Sequence, residues 1–163
     1  MFRTAQGKSI SIKAASERIV QFILEDKESE YEITVGTDSQ NFAYTKMVEV
    51  IAVHRRGRGG IYFYNIDNVP LITNLNQKIN EETSRSLVVA DELLSNLEEL
   101  LFGQCYLIDE LGISFPIHCD IGKYGKTRML VREITRWVTG QGYVCIIKPY
   151  SYAASGIANK YSK

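Results

Sequence analysis

The feature that most constrains the fold is a pair of β-rich runs on either side of a basic, glycine-broken turn. Residues 46–67, KMVEVIAVHRRGRGGIYFYNID, place valine, isoleucine and aromatic residues before and after RRGRGG. Two such runs around a short glycine-containing turn are typical of a β-hairpin. Residues 31–40, YEITVGTDSQ, precede the hairpin and alternate as a further strand that we expect to end at Gly36 and Asp38. The chain therefore builds a sheet from at least three consecutive strands.

The rest of the chain is predicted to form helices and two further strands. Apolar residues recur at helical spacing in three segments, which we predict as helices: Ser11–Asp26, Lys78–Phe102 and Thr127–Thr139. Strands are predicted at 116–121 and 143–148, and Ser151 is a plausible cap for a last helix to Tyr161. Without the opening helix, the order of elements is βββαβαβα. This order predicts an α/β fold with a five-stranded mixed sheet, helices on both of its faces and an extra N-terminal helix.

Length and composition favour one globular domain. With 163 residues, of which 45% are hydrophobic and 23% charged, the chain can bury a full core. We expect a single domain over residues 1–163, with residues 1–28 as an N-terminal helical extension. No apolar run approaches the roughly 20 residues that cross a membrane, and MFRTAQGKSI lacks the apolar stretch of a secretory signal. Three cysteines without metal-type spacing predict free thiols and a cytoplasmic location.

Charge is balanced overall but is unevenly distributed. The chain has 19 basic and 19 acidic residues, so no global field indicates a polyanionic partner. From Ile121 onward, however, there are eight lysines and arginines and one acidic residue, Glu133. This basic C-terminal third either faces phosphate groups or solvates surface helices.

The stretch PIHCDIGKYGKT, residues 116–127, resembles a strand followed by a phosphate-binding glycine loop. A P-loop needs a glycine five residues before Gly125-Lys126, and the chain has Asp120 at that position. A carboxylate there places negative charge where phosphates must bind. Asp120, at the carboxyl end of a strand, is therefore the more informative residue, because open α/β sheets bind ligands at that edge.

Three acidic residues from separate segments are expected to meet at this edge. Asp38 follows the first strand of the sheet as Asp120 follows the fourth, and Glu81 and Glu82 fall in the first turns of the long helix. Glu82 leans toward the buried side, although an acid near a helix N-terminus is also explained by the helix dipole. Carboxylates a few ångströms apart repel each other unless a cation offsets them, and a divalent ion with oxygen ligands is the usual resolution.

This arrangement resembles the ribonuclease H-like nuclease and transferase fold. The short motifs VGTDSQ, VHRRGRGG, HCDIG and IKPYSYAAS resemble, more closely, the YkuK-like family of uncharacterised proteins within that superfamily, over roughly residues 10–163. The resemblance implies cleavage of a nucleic-acid phosphodiester, in RNA or an RNA/DNA hybrid, with Mg²⁺ or Mn²⁺. It further implies that Asp38 bridges two ions and that Glu82 and Asp120 hold one of them. The fourth ligand would be Asn159, a neutral amide where many relatives have an acid.

Further candidate residues surround the acids. His118 could carry a proton, or it could be a packed strand histidine. Residues that could contact phosphates lie on the hairpin turn and around Asp120, namely Arg55, Arg56, Arg58, Lys123, Lys126, Arg128 and Lys148. The neighbouring aromatic residues Tyr124, Tyr150 and Tyr152 could stack on bases.

Two other functions stay open on the sequence. The first is a nucleic-acid-binding module of the same fold with weak or no catalysis, which Asn159 favours. The second is a small-molecule enzyme that binds nucleotides through GKYGKT, which Asp120 disfavours.

Overall fold

A computed structural model describes residues 1–151 of the chain. These residues form eight strands: β1 (Phe2–Thr4), β2 (Ser9–Ile10), β3 (Tyr31–Asn41), β4 (Thr45–Arg55), β5 (Gly60–Val69), β6 (Ile113–Ser114), β7 (Pro116–His118) and β8 (Val144–Ile146). They also form the helices α1 (Ile12–Leu24), α2 (Leu75–Gly103) and α3 (Val131–Gly140), with single 3₁₀ turns at Ile108–Glu110 and Arg128–Leu130. The class is α/β, as predicted.

The strands form one mixed sheet in the order β2-β1-β5-β4-β3-β7-β8, with β6 also paired to β3. The five strands expected from the sequence are β3, β4, β5, β7 and β8, and they lie side by side. The expected count of five was wrong, because β1, β2 and β6 extend the sheet to eight strands. β7 and β8 also have only three residues each, but they lie within the apolar runs predicted at 116–121 and 143–148, whereas β1, β2 and β6 lie in no such run and are defined by the partner they pair with.

The hairpin of β4 and β5 is confirmed, and β3 extends further than expected. Gly57 and Gly59 in the hairpin turn have positive φ angles, which glycine adopts without strain. β3 does not end at Gly36 and Asp38 but pairs with β4 as far as Asn41, which lies opposite Thr45. Asp38 is therefore inside the strand, opposite Val48. The three-residue connection to β4 allows pairing to continue up to the turn.

The main core lies between one face of the sheet and the helices. Buried residues of all three helices belong to the same apolar cluster as Ile33, Val35, Ile51 and Ile117 of the sheet. The expectation of helices on both faces is not met within residues 1–151, and the helix expected at Ser151–Tyr161 lies outside them, apart from Ser151. The opposite face carries a smaller cluster, which consists of Val48, Val50, Ala52 and Tyr64.

The N-terminal residues are part of the sheet and the core. β1 pairs with β5, and α1 buries Ala15, Ile19 and Ile23 completely. Residues 1–28 thus contribute a strand pair as well as the predicted helix. In the described part of the chain, no helix combines the length and apolar character that a membrane crossing requires.

Candidate functional site

Two hydrogen bonds hold the start of α2 against the outer half of β3. The hydroxyl groups of Thr37 and Ser86 lie 2.8 Å apart, and Ser39 Oγ donates to Glu82 Oε2 at 2.5 Å. Two residues along a strand span roughly 6.8 Å and four residues along a helix span about 6 Å, so the two pairs match in spacing. The hydroxyl groups of Thr37 and Ser39, two residues apart on β3, thus fix this part of α2, and Glu82 with it, beside the strand.

Glu82 is a buried acid whose ionised form is costly. Burial raises the pKa of Glu82 to about 8, the hydrogen bond from Ser39 opposes this rise, and the negative charges of Asp38 and Asp120 add to it. Lys78, one helical turn earlier, partly offsets the negative charge. Glu81, by contrast, turns outward and pairs with Arg85 at 2.9 Å. Of the two candidate glutamates, Glu82 is therefore the one that faces Asp38 and Asp120.

Asp38 shares this electrostatic environment. Burial raises the pKa of Asp38 to about 6, with the carboxylate of Asp120 as the next contribution, while Lys78 and Lys148 act in the opposite direction. Strand alternation directs Asp38 to the face opposite Ser39. The two acids therefore approach the edge of the sheet from its two sides.

Asp120 follows the end of β7, as expected. β7 ends at His118 and not at the expected Ile121; Ile117 belongs to the main core, so alternation places the His118 side chain on the other face, while Asp120 lies beyond the end of the strand. Asp120 and His118 line a small cavity together with Glu82, Thr37 and Ser86. Lys148, on the segment after β8, contacts Asp120 Oδ1 through its ammonium nitrogen at 3.0 Å.

The three acids have oxygen ligands suited to a divalent ion but are not arranged as a complete metal-binding site. Carboxylate oxygens are the ligands that Mg²⁺ and Mn²⁺ prefer, and a cation would offset the burial and the neighbouring negative charges that raise the pKa values of Asp38 and Glu82. Within residues 1–151, however, no group of three or more His, Cys, Asp or Glu side chains has an arrangement that could hold a metal ion as it stands. Two of the oxygens are already engaged, one by Ser39 and one by Lys148. Donor chemistry thus fits a metal, and the Lys148 ammonium would compete with it for Asp120 Oδ1.

The loop after Asp120 is closed on itself. The Gly122 N–H donates to Thr127 Oγ1 at 3.0 Å, Gly125 has a positive φ angle, and α3 begins at Val131 instead of the expected Thr127. The loop therefore differs from a P-loop, in which the residue after the lysine opens the helix and presents its hydroxyl to the metal. Basic and aromatic side chains project from the loop and its surroundings: Lys123, Tyr124, Lys126, Arg128, Lys148 and Tyr150 are exposed.

The arginines of the hairpin turn lie at the opposite end of the sheet. Arg55 of β4 lies directly opposite Tyr31 of β3. Tyr31 precedes Asp38 by seven residues, which is roughly 23 Å along β3. Arg55 donates to the Phe22 carbonyl and the Tyr31 hydroxyl, and its guanidinium lies 3.9 Å from the centre of the Phe22 ring. Arg56 and Arg58 form ion pairs with Glu30 and Asp26. The structure does not bring these arginines together with the acids.

The remaining candidates differ in how far the structure describes them. His118 is 5% exposed, and its burial lowers the pKa of the imidazole, so the side chain is neutral at neutral pH. Asn159 and Tyr152 lie outside the described residues. All three cysteines are free, and the sulfur atoms of Cys119 and Cys145 are 3.7 Å apart.

Two residues that sequence reasoning missed are Ser39 and Lys78. Ser39 follows Asp38 directly and orients Glu82. Lys78 precedes Glu82 by four residues, a spacing that puts both side chains on one side of a helix. Lys78 also precedes Glu81 by three residues, so this spacing alone does not distinguish the two glutamates, and only the structure shows which one lies among the acids.

Comparison with known proteins agrees with this architecture. The ribonuclease H-like family model matches residues 14–163, and the chain belongs to that family. An uncharacterised protein of Bacillus subtilis (strain 168), YkuK, is 31% identical over 171 residues, which cover 100% of this chain and 97% of the relative. The chain is thus a YkuK-like member of the ribonuclease H-like family, as its motifs predicted. No solved structure gives a significant match.

Proposed function

We propose that this protein is a divalent-metal-dependent nuclease that hydrolyses phosphodiester bonds of RNA or of RNA paired with DNA. The observation that carries the proposal is that Glu82 and Asp120 line one small cavity at the edge of the sheet to which Asp38 also belongs, where burial and the neighbouring carboxylates raise the pKa values of Asp38 and Glu82. Maintaining three acids in a partly buried position costs folding free energy, and a cation bound between them recovers it. The family match supports a nucleic-acid-related role for this edge.

Asp38, Glu82 and Asp120 are the residues that would hold Mg²⁺ or Mn²⁺, with Asn159 as a further ligand. When bound, the ion would activate a water molecule and neutralise charge on the phosphate and the leaving oxygen. Ser39 keeps the Glu82 carboxylate oriented, and Lys78 limits the repulsion between the acids. Alternation places the neutral imidazole of His118 on the same face of the sheet as Asp38, where it can accept a proton.

The exposed basic side chains of the loop after Asp120 complete the proposed site. Lys123, Lys126 and Arg128 carry positive charge next to the acids, where a polyanionic backbone would otherwise be repelled. Lys148 contacts Asp120 and is half-exposed, so it can exchange this contact for a substrate phosphate. Release of Lys148 would free Asp120 Oδ1 as a ligand.

Two features of the site favour a second function. The ion pair between Lys148 and Asp120 neutralises one acid internally, and the described acids form no ready-made metal group. These features are those of a nucleic-acid-binding module that has weak or no catalysis.

The two functions are separated by a cleavage assay. Purified protein is incubated with labelled single-stranded RNA, single-stranded DNA, duplex RNA and an RNA/DNA hybrid, with Mg²⁺, Mn²⁺ or EDTA. The nuclease function predicts products that require metal and that disappear in Asp38→Asn and Asp120→Asn. The matched control is Asp109→Asn, an exposed acid beyond the far end of α2, which should keep full activity.

The result that contradicts the nuclease is salt-sensitive binding without products at any metal concentration, which supports the binding module. Cleavage that persists in both Asp→Asn variants would point to a contaminating nuclease. Binding to none of the four nucleic acids, with no cleavage, would contradict both functions.

A further inference from the structure

The tip of the β3–β4 hairpin carries two aromatic side chains that are exposed at the same end of the sheet as the acids. Phe42 is 48% exposed and Tyr44 is 40% exposed, and their ring centres are 5.6 Å apart. The turn begins directly after Asn41, three residues and roughly 10 Å along β3 from Asp38. An exposed aromatic pair at this position contributes little to the core, because neither ring belongs to a buried cluster.

The strand surface between Asp38 and this tip suits a nucleic-acid strand. Alternation puts Gln40 and Lys46 on the same face as Asp38, and these two residues are directly paired across the strands. Asn68 is the partner of Lys46 on β5. Beyond Asp38, this face thus presents two amides and one cation before it reaches the aromatic tip. Amides and a lysine offer hydrogen bonds and positive charge to phosphate and sugar groups.

The tip is held rigidly relative to the helix that carries Glu82. Thr45 Oγ1 donates to Asn41 Oδ1 at 2.8 Å, Asn41 Nδ2 donates to the Ile72 carbonyl at 2.9 Å, and the Ile72 N–H donates to Thr45 Oγ1 at 2.8 Å. This closed triangle ties both ends of the turn to the segment that leads into α2. A turn whose two ends are fixed before binding loses little backbone conformational entropy when a ligand binds to it.

We infer that Phe42 and Tyr44 form a stacking platform for unpaired bases, so that the substrate of the acidic edge is a single strand that runs from Asp38 over Gln40 and Lys46 to the tip. This inference rests on the proposed function and names its substrate class. Exposed rings stack on bases whose faces are free, as in a single strand, whereas the bases of a duplex are stacked on each other and present only their edges. The aromatic tip therefore discriminates single strands from duplexes by their shape.

Binding measured without metal tests the inference separately from cleavage. Fluorescence anisotropy in EDTA compares a labelled single strand with its duplex for the wild type, Phe42→Ala and Tyr44→Ala. Each substitution should weaken single-strand binding by about tenfold, the order expected for the loss of one stacked base, and leave duplex binding unchanged. The matched control is Phe102→Ala, which removes an even more exposed ring about 30 Å along α2 from Glu82 and should bind like the wild type.

A spectroscopic variant provides a readout that a structural role would not change. Phe42→Trp keeps an aromatic ring at the tip, so single-strand affinity should be retained while its fluorescence is quenched on binding. The natural chain has one tryptophan, Trp137, in α3, so the wild type supplies the background signal.

The outcomes are distinct. Equal losses on single strand and duplex, unchanged affinity of both alanine variants, or no quenching in Phe42→Trp would overturn the platform while leaving the proposed function intact. A wild type that binds neither form in EDTA would overturn the platform, and only if it also cleaves none of the four nucleic acids with metal would it contradict the proposed function itself. A change in oligomeric state without a change in binding would assign the tip to a protein contact and also overturn the inference.

Discussion

The two ends of the sheet carry charged residues in opposite electrostatic situations. At the end that carries the β4–β5 turn, each arginine has a partner within the protein. Arg55 contacts Phe22 and Tyr31. Arg56 pairs with Glu30, and Arg58 pairs with Asp26. At the other end, Asp38 and Glu82 are buried acids whose pKa values are raised, and their neighbours include a third acid.

The difference separates structural charges from charges that are available for a ligand. Arg55 connects α1 to the sheet, because its guanidinium donates hydrogen bonds to the Phe22 carbonyl and the Tyr31 hydroxyl and also packs on the Phe22 ring. At the acidic edge, neighbouring groups compensate the carboxylates of Asp38 and Glu82 only in part, and a bound cation would stabilise their ionised forms. Perturbed pKa values of this kind are enriched at functional sites.

Loss of the Arg55 contacts should have the largest effect on stability. Arg55→Ala removes the guanidinium from the Phe22 ring and leaves the Phe22 carbonyl without this donor, so the free energy of unfolding should fall by about 3 kcal/mol. Urea denaturation measures the change. Arg56→Ala is the matched control, because its ion pair with Glu30 is exposed and should contribute less than about 0.5 kcal/mol. Equal effects of the two substitutions would contradict the structural role of Arg55.

Removal of the Glu82 charge should stabilise the metal-free protein. The folded state binds the Glu82 proton more tightly than the unfolded chain, so the carboxyl reduces stability as pH rises from about 4.5 to about 8. At pH 7, Glu82→Gln should raise the free energy of unfolding by about 2 kcal/mol, and the gain should vanish near pH 4. Urea melts across this pH range provide the measurement. Glu81→Gln, which alters the outward neighbour, should show no such pH-dependent gain.

Removal of the ammonium group beside Asp120 should improve metal binding. Lys148→Met eliminates the competing cation, and calorimetric titration should show Mn²⁺ affinity about threefold to tenfold higher, in line with a half-exposed ion pair. Lys126→Met removes a nearby charge without that contact and should change the affinity less. Weaker Mn²⁺ binding in Lys148→Met would mean that Lys148 supports the site instead of blocking it.

The smallest expected effect concerns salt dependence. If Lys123 contacts a phosphate, Lys123→Ala should reduce the slope of log binding constant against log salt by about one, whereas Arg56→Ala should leave it unchanged. Binding titrations over a range of salt concentrations measure both slopes. A reduced slope for Arg56→Ala would extend the nucleic-acid path to the hairpin turn and remove the contrast between the two ends.

Much of the fold could be predicted because its signals are local and long. The β4–β5 hairpin follows from two β-rich runs about RRGRGG, and α2 follows from an apolar repeat over more than six turns. β1, β2 and β6 could not be predicted, since they lie in no apolar run of strand length and are defined by pairing with a neighbour, unlike the equally short β7 and β8, which lie within longer apolar runs. The continuation of β3 past Asp38 likewise depends on pairing with β4.

The sequence by itself determined the α/β class, the family and the acids at the expected edge, because alternation, helical periodicity and short motifs are properties of neighbouring residues. Only the tertiary structure decided that Glu82 and not Glu81 faces Asp38, that Arg55 is used within the fold, and that Lys148 pairs with Asp120. Each of these depends on residues far apart in the chain. Burial and charge at a site are set by the elements that pack around it, and the local pattern does not contain that information.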